Sequence, residues 1–144
     1  MIFRKASECY PDARMSDREK DAVLAANLAF YQAFTSQDVP AMEALWARRA
    51  PVSCTHPGWV ALTGRGAVLE SWRSILQNPE APHVMCHDDT AFLHGDVAIV
   101  LCEEELADGH LSATNIFVKE DGEWRLVHHQ ASPLLARGSP AAPG

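Results

Sequence analysis

Residues 83–132, HVMCHDDTAFLHGDVAIVLCEEELADGHLSATNIFVKEDGEWRLVHHQAS, decide the fold. Three turn dipeptides, Gly95-Asp96, Asp108-Gly109 and Asp121-Gly122, separate runs that alternate apolar and polar residues. Each suits a two-residue hairpin loop, because glycine and aspartate tolerate the positive φ such turns need. Three hairpins in succession make a four-stranded antiparallel meander, and the turns set its register. One face then carries the row Ala91, Val100, Phe117 and Leu126, followed by Asp89, Cys102, Asn115 and His128, then His87, Glu104, Ala113 and Gln130. The opposite face carries Phe92, Ile99, Val118 and Arg125, then Thr90, Leu101, Ile116 and Val127, with Asp88, Glu103, Thr114 and His129 beyond. Both faces are apolar along part of their length. The outer one needs a cover, and a second copy of the chain is the simplest, so a homodimer through the outer sheet face is expected.

Upstream the apolar period lengthens to that of helices. Ser16 and Glu19 form a capping box, and Val23, Leu24, Leu28, Tyr31 and Phe34 follow on one stripe with Phe30 beside it, which predicts a helix over 17–35. Asp38 caps a short second helix that accepts Pro40 in its first turn, buries Met42, Leu45 and Trp46, and stops at Pro51. Residues 52–62, with His56-Pro57-Gly58 at their centre, read as two short strands or a strand and a turn. Gly64 and Gly66 introduce a third helix whose apolar side is Val68, Leu69, Trp72, Ile75 and Leu76, ended by Asn78-Pro79. Helices first and sheet later predict an α+β layer, a curved sheet with helices on one face. The expected domain is 16–133, with an N-terminal arm over 1–15 and a flexible tail over 134–144.

The 144 residues suit one domain, and 12 basic against 19 acidic residues give a net charge of -7. From His83 to Glu123 there are ten acidic residues and one basic, Lys119, a field that repels phosphate backbones and argues against nucleic acid as a partner. No apolar run approaches the ~20 residues that cross a bilayer, and no leader sequence is visible, so a cytoplasmic, membrane-free protein is expected. Cys9, Cys54, Cys86 and Cys102 show no metal-binding spacing and read as free thiols. His87, Asp89 and His128 lack a short ligand motif. Neither a metal nor a cofactor is expected.

On the inner face an apolar floor gives way to Asp89, Asn115 and His128, which resembles the lining of a small-molecule pocket. The order of elements and several local words resemble the nuclear transport factor 2-like superfamily, which includes SnoaL-like and ketosteroid isomerase-like domains. Those words are the segments 30–38 (FYQAFTSQD), 54–59 (CTHPGW), helix three from Gly66 to Leu76, and 124–132 (WRLVHHQAS). The resemblance implies a cone of three N-terminal helices on a curved, mainly antiparallel sheet, the cystatin-like roll. Against the ketosteroid isomerases it places His56 at the position of the base, Phe30 at that of the tyrosine and Asn115 at or near that of the aspartate. Phe30 cannot donate a hydrogen bond, whereas neighbouring Tyr31 can. The last strand also resembles the association domain of calcium/calmodulin-dependent protein kinase II, an assembly device.

The expected function is therefore binding of a small hydrophobic molecule, with cofactor-free proton transfer on a carbonyl compound. His56 is the expected base, Asn115 and His128 the oxygen-binding donors. Phe30, Tyr31, Trp59, Trp72, Asp89, Cys102 and Phe117 are expected to contact the ligand. His129 is expected to face away from the pocket, and Glu103, Glu104 and Glu105 to form a solvated strand end. The alternative is a ligand-binding or association domain without turnover.

Overall fold

The computed structural model describes residues 13–135. Beyond them lie most of the expected arm, including Cys9, and most of the expected tail. Helix α1 (Ala13–Thr35) is followed by α2 (Val39–Leu45), the short strands β1 (Ser53–Thr55) and β2 (Leu62–Thr63), and α3 (Arg65–Gln77). Four long strands complete the chain, β3 (Met85–His94), β4 (Val97–Leu106), β5 (Gly109–Glu120) and β6 (Glu123–Pro133). The sheet order is β2-β1-β6-β5-β4-β3; β1 runs parallel to β6 and every other pairing is antiparallel. The helices cover one face of this sheet, which is the expected α+β, cystatin-like arrangement.

Helix α1 begins at Ala13, so Ser16 lies inside its first turns and does not cap it. Its inner stripe is Val23, Asn27, Phe30, Tyr31 and Phe34, whereas Leu28 is 55% exposed. Leu28 was expected inside, but the stripe turns toward Phe30, which Trp72 of α3 meets edge-on at 5.4 Å. Asp38 caps α2 by accepting from the backbone N–H of Ala41 at 3.1 Å. Beyond α2, Glu120 at the end of β5 accepts the backbone N–H groups of Arg48, Arg49 and Ala50 at 2.8–2.9 Å. Those donors hold its carboxyl near a pKa of about 2, and they fasten the loop before β1 to the sheet.

Two of the expected turns are in place, Gly95-Asp96 and Asp121-Gly122, with φ of 64° at Gly95 and 77° at Gly122. The middle turn is Ala107-Asp108 instead, with Leu106 opposite Gly109. The expected pair Cys102–Asn115 thus becomes Cys102–Ala113 and Val100–Asn115. A slip of two residues keeps every side chain on its face, so hydrophobic alternation cannot choose between the registers. The observed one lets His110 reach Glu103 at 3.1 Å.

Two bulges have larger consequences, since one extra residue turns the following side chains over. In β3 the register shifts between His87 and Thr90, with Asp88 at φ +57°. Cys86 therefore joins the inner face opposite Glu104, while His87 turns outward to Glu105 at 2.6 Å. Asp89 falls in this bulge and is exposed, contrary to its expected inner position. In β6, Ile116 pairs with His128 and Phe117 with Leu126, which leaves Val127 as the extra residue. His129, not His128, consequently faces Asn115.

Candidate active site

Asn115 anchors a buried polar cluster under α1. Its amide nitrogen donates both protons, to Asn27 Oδ1 at 2.9 Å and to the Tyr31 hydroxyl oxygen at 3.1 Å. Its Oδ1 is then the acceptor for His129 Nδ1–H at 2.5 Å, which leaves a lone pair on His129 Nε2. Tyr31 donates to Glu104 Oε2 at 2.7 Å and touches Cys102 Sγ at 3.2 Å. Glu104 Oε2 and His129 Nε2 are 3.9 Å apart. Helix α1 thus supplies Asn27 and Tyr31 one turn apart, β4 supplies Cys102 and Glu104, and β5 and β6 supply Asn115 and His129.

Enclosure sets the protonation of this cluster. Glu104 is only 2% exposed, and burial pushes its carboxyl up to about 7 against the opposing hydrogen bond from Tyr31. Burial, and then the neighbouring His56 and His128, push His129 down to about 3. Near neutral pH the cluster holds a neutral imidazole beside a carboxyl close to the middle of its titration.

His56 occupies an adjoining compartment. Ser71 donates its proton to the carbonyl of Val68 at 2.7 Å, so its oxygen accepts from His56 Nε2–H at 2.9 Å. Burial lowers His56 to about 4. Trp72 packs edge-on to its ring at 4.9 Å and half-exposed Trp59 covers it at 4.8 Å. Cys54 Sγ lies 3.7 Å from Nε2, its thiol pushed up to about 12 by burial.

Of the expected site residues, Asn115, Tyr31 and Cys102 meet in the cluster, while His56, Trp59 and Trp72 meet beside it. Phe30 links the two compartments, with ring centroids 5.0 Å from His129 and 5.4 Å from Trp72. Phe117 is fully buried in the core. His128 is half-buried and engages Ser53 Oγ through Nδ1 at 2.7 Å, away from Asn115. Sequence reasoning left out Glu104, His129, Asn27 and Cys86. The signal for Glu104 was present: alternation already put it on the inner face, and the run of three glutamates argued it back into solvent. Among the described residues no group of three or more His, Cys, Asp or Glu side chains is placed to hold a metal ion.

A groove of about 640 Å³ runs between α1 and the start of β3, bordered by Leu28, Tyr31, Thr35, Val84, Met85 and Cys86. Thr35 fixes this end by donating to the carbonyl of Val84 at 2.9 Å. Tyr31 and Cys86 belong to the groove and to the buried cluster alike, so they join open space to the enclosed proton donors.

Comparison with known proteins agrees with this architecture. A candidate dehydratase of the nuclear transport factor 2-like family from Streptomyces avermitilis is 36% identical, with a TM-score of 0.77 over 84% of this chain and 99% of that one. A candidate calcium/calmodulin-dependent protein kinase II association domain from Thiobacillus denitrificans is 34% identical, with a TM-score of 0.68 over 76% and 93%. The F-box protein SKIP8 of Arabidopsis thaliana is 26% identical over 116 residues, 79% of this chain, which spans about half (50%) of that relative's length. The SnoaL-like domain model matches residues 23–136, and the chain therefore belongs to the SnoaL-like family of the nuclear transport factor 2-like superfamily.

Proposed function

We propose that this domain binds a small, mostly apolar molecule bearing a carbonyl or hydroxyl oxygen and moves a proton on it without a cofactor. The observation that carries this reading is Glu104, an enclosed carboxyl that keeps its proton to about pH 7 and is bonded to a tyrosine bordering a groove. A general acid or base works best when its pKa lies near the operating pH. In this reading the apolar body lies along Leu28, Val84 and Met85 and its oxygen meets Tyr31. Glu104 gives and takes the proton through the Tyr31 hydroxyl, which Asn115 orients. His56, expected as the base, is a weaker one at about 4, and its Nε2 proton is engaged by Ser71. Loss of water from a β-hydroxy carbonyl compound and a proton shift beside a carbonyl both need one such donor-acceptor group. The likeness to a candidate dehydratase favours the first.

The test is turnover of a panel of cyclic β-hydroxy ketones and enones by wild-type protein, Glu104→Gln and Tyr31→Phe. Glu104→Gln keeps an acceptor for Tyr31 and should lower kcat by about 100-fold or more with KM little changed. Equal turnover in wild type and Glu104→Gln removes the proposed acid-base group.

Assembly is a second and compatible reading. The outer sheet face exposes Phe92 and Leu101, at 44% and 45%, between half-buried Ile99 and Ile116. A homodimer through this face would cover them, and the likeness to a candidate association domain supports it. Leu101→Asp should convert a dimer to a monomer in light scattering; a monomeric wild type at micromolar concentration rejects the interface.

A further inference from the structure

The Asn27 amide is underused where it stands. Its Oδ1 accepts the Asn115 N–H at 2.9 Å, which fixes the other end of the group, Nδ2, as a donor. That side chain is fully buried, and the acceptors its Nδ2 finds are thiols, Cys86 Sγ at 3.7 Å and also Cys102. Sulfur accepts weakly, so an oxygen in its place would satisfy the amide better. Asn27 and Tyr31 stand four residues apart on α1 and present their polar heads on one side of it. One Asn115 nitrogen bonds both, which sets Asn27 Oδ1 and the Tyr31 oxygen about 5 Å apart. Cys86 touches the amide and borders the groove, and Tyr31 borders the groove beside it. Cys86 is half-buried, and its sulfur swings by rotation about a single bond.

We propose that Asn27 is a second recognition point of the groove. Its Nδ2–H donates to a carbonyl oxygen that takes the place of the Cys86 sulfur, while a hydroxyl of the same ligand meets Tyr31. The two points are not interchangeable. Tyr31 directs its one proton to Glu104, so its oxygen suits a ligand hydroxyl, which donates in return. A carbonyl only accepts, and the N–H it needs is the one Asn27 holds against sulfur. The ligand class is therefore a β-hydroxy carbonyl compound, whose oxygens three carbons hold at a span comparable to that of the two heads. Its carbon body lies along Leu28, Val84 and Met85. The second point rests on Tyr31 meeting the ligand in this groove, and it narrows that ligand from any carbonyl or hydroxyl compound to one carrying both.

Calorimetric titration of the full chain with decal-1-one, which only accepts, and decal-1-ol, which also donates, tests this division. Asn27→Ala should weaken binding of the ketone about tenfold and leave the alcohol within about twofold, and Tyr31→Phe should do the reverse. Cys86→Ala and Cys86→Val leave the bond between Asn27 and Asn115 in place, so they decide the matter even where Asn27→Ala does not fold. Alanine clears the sulfur from the amide and should raise the ratio of ketone to alcohol affinity at least about threefold. Valine fills the path with a stiff branched side chain and should lower that ratio. A ratio equal in wild type and both Cys86 variants overturns the proposal, as does a ketone that binds Asn27→Ala as tightly as wild type. Alcohol affinity unmoved by Tyr31→Phe, or binding of neither probe, overturns the reading of the groove and the second point with it.

Discussion

Asn115→Leu should lower the folding free energy by about 3–5 kcal/mol, although leucine has the same number and branching of side-chain heavy atoms as asparagine. Asn115 is fully buried and serves three partners at once. Leucine leaves Asn27 Oδ1 and the Nδ1–H of His129 without a counterpart, and it removes one of the donors to Tyr31. Each buried group left unpaired costs about 1–3 kcal/mol, more than the added contact with its cross-strand neighbour Val100 returns. Urea unfolding followed by circular dichroism measures this, with an unchanged slope against denaturant as the check on two-state behaviour. His128→Ala is the matched control. That residue is half-buried and bonds Ser53 at the margin of the sheet, so its loss should stay within about 1 kcal/mol. If the two variants were equally mild, the Asn115 cluster would not be organising the interior.

The second large effect is on stability against pH. His56 and His129 ionise in the unfolded chain near 6.5 but stay neutral in the fold down to about 4 and about 3. Their contribution is full above pH 6.5 and is lost as pH falls toward those values. Glu104 has the opposite sign. It ionises near 4.5 when unfolded but keeps its proton to about 7 in the fold, so its contribution is full below 4.5 and is lost as pH rises. Between pH 4.5 and 6.5 these three groups leave the unfolded chain with two extra protons and the fold with one. Their net effect is a stability that rises with pH by about 1.4 kcal/mol per unit. Glu104→Gln removes the opposing proton and should about double that slope in urea titrations from pH 5 to 6.5. An unaltered slope would mean that Glu104 is already ionised across the window. Glu120, held to about 2, titrates mostly below this range and leaves the comparison clean.

These effects also mark where the sequence was legible. Glycine-aspartate turns announced the meander, and the inward positions of Ala91, Val100, Asn115 and Phe117 followed from alternation alone. Two faces could be read because apolar residues recur every second position on each strand. The failures sit downstream of bulges. Leu126-Val127-His128-His129 satisfies alternation on either face, and one extra residue decides which histidine goes in. That decision rests on a hydrogen bond to Asn115 on another strand, which no local pattern encodes. At Asp88 the left-handed backbone is one that aspartate tolerates, but the adjacent Asp88-Asp89 pair reads equally well as exposed strand. Glu104 was lost for a different reason, since burying a carboxyl requires a partner such as Tyr31 from a helix far away in sequence. Patterning therefore located the inner face, and long-range polar partners chose which polar groups it encloses.

The parallel join between β1 and β6 carries a further consequence, for the order in which the chain can assemble. Ser53, Cys54 and Thr55 register against His128, His129 and Gln130, a separation of 75 residues. During synthesis from the amino end, the β1–β2 hairpin emerges well before the strand that joins it to the meander. Until then Cys54 has only the short strand β2 beside it, and β6 must arrive to close the sheet. Such distant pairing slows folding. A nascent chain halted before residue 123 would hold the β1–β2 hairpin without the strand that joins it to the meander, open to chaperones and to proteolysis.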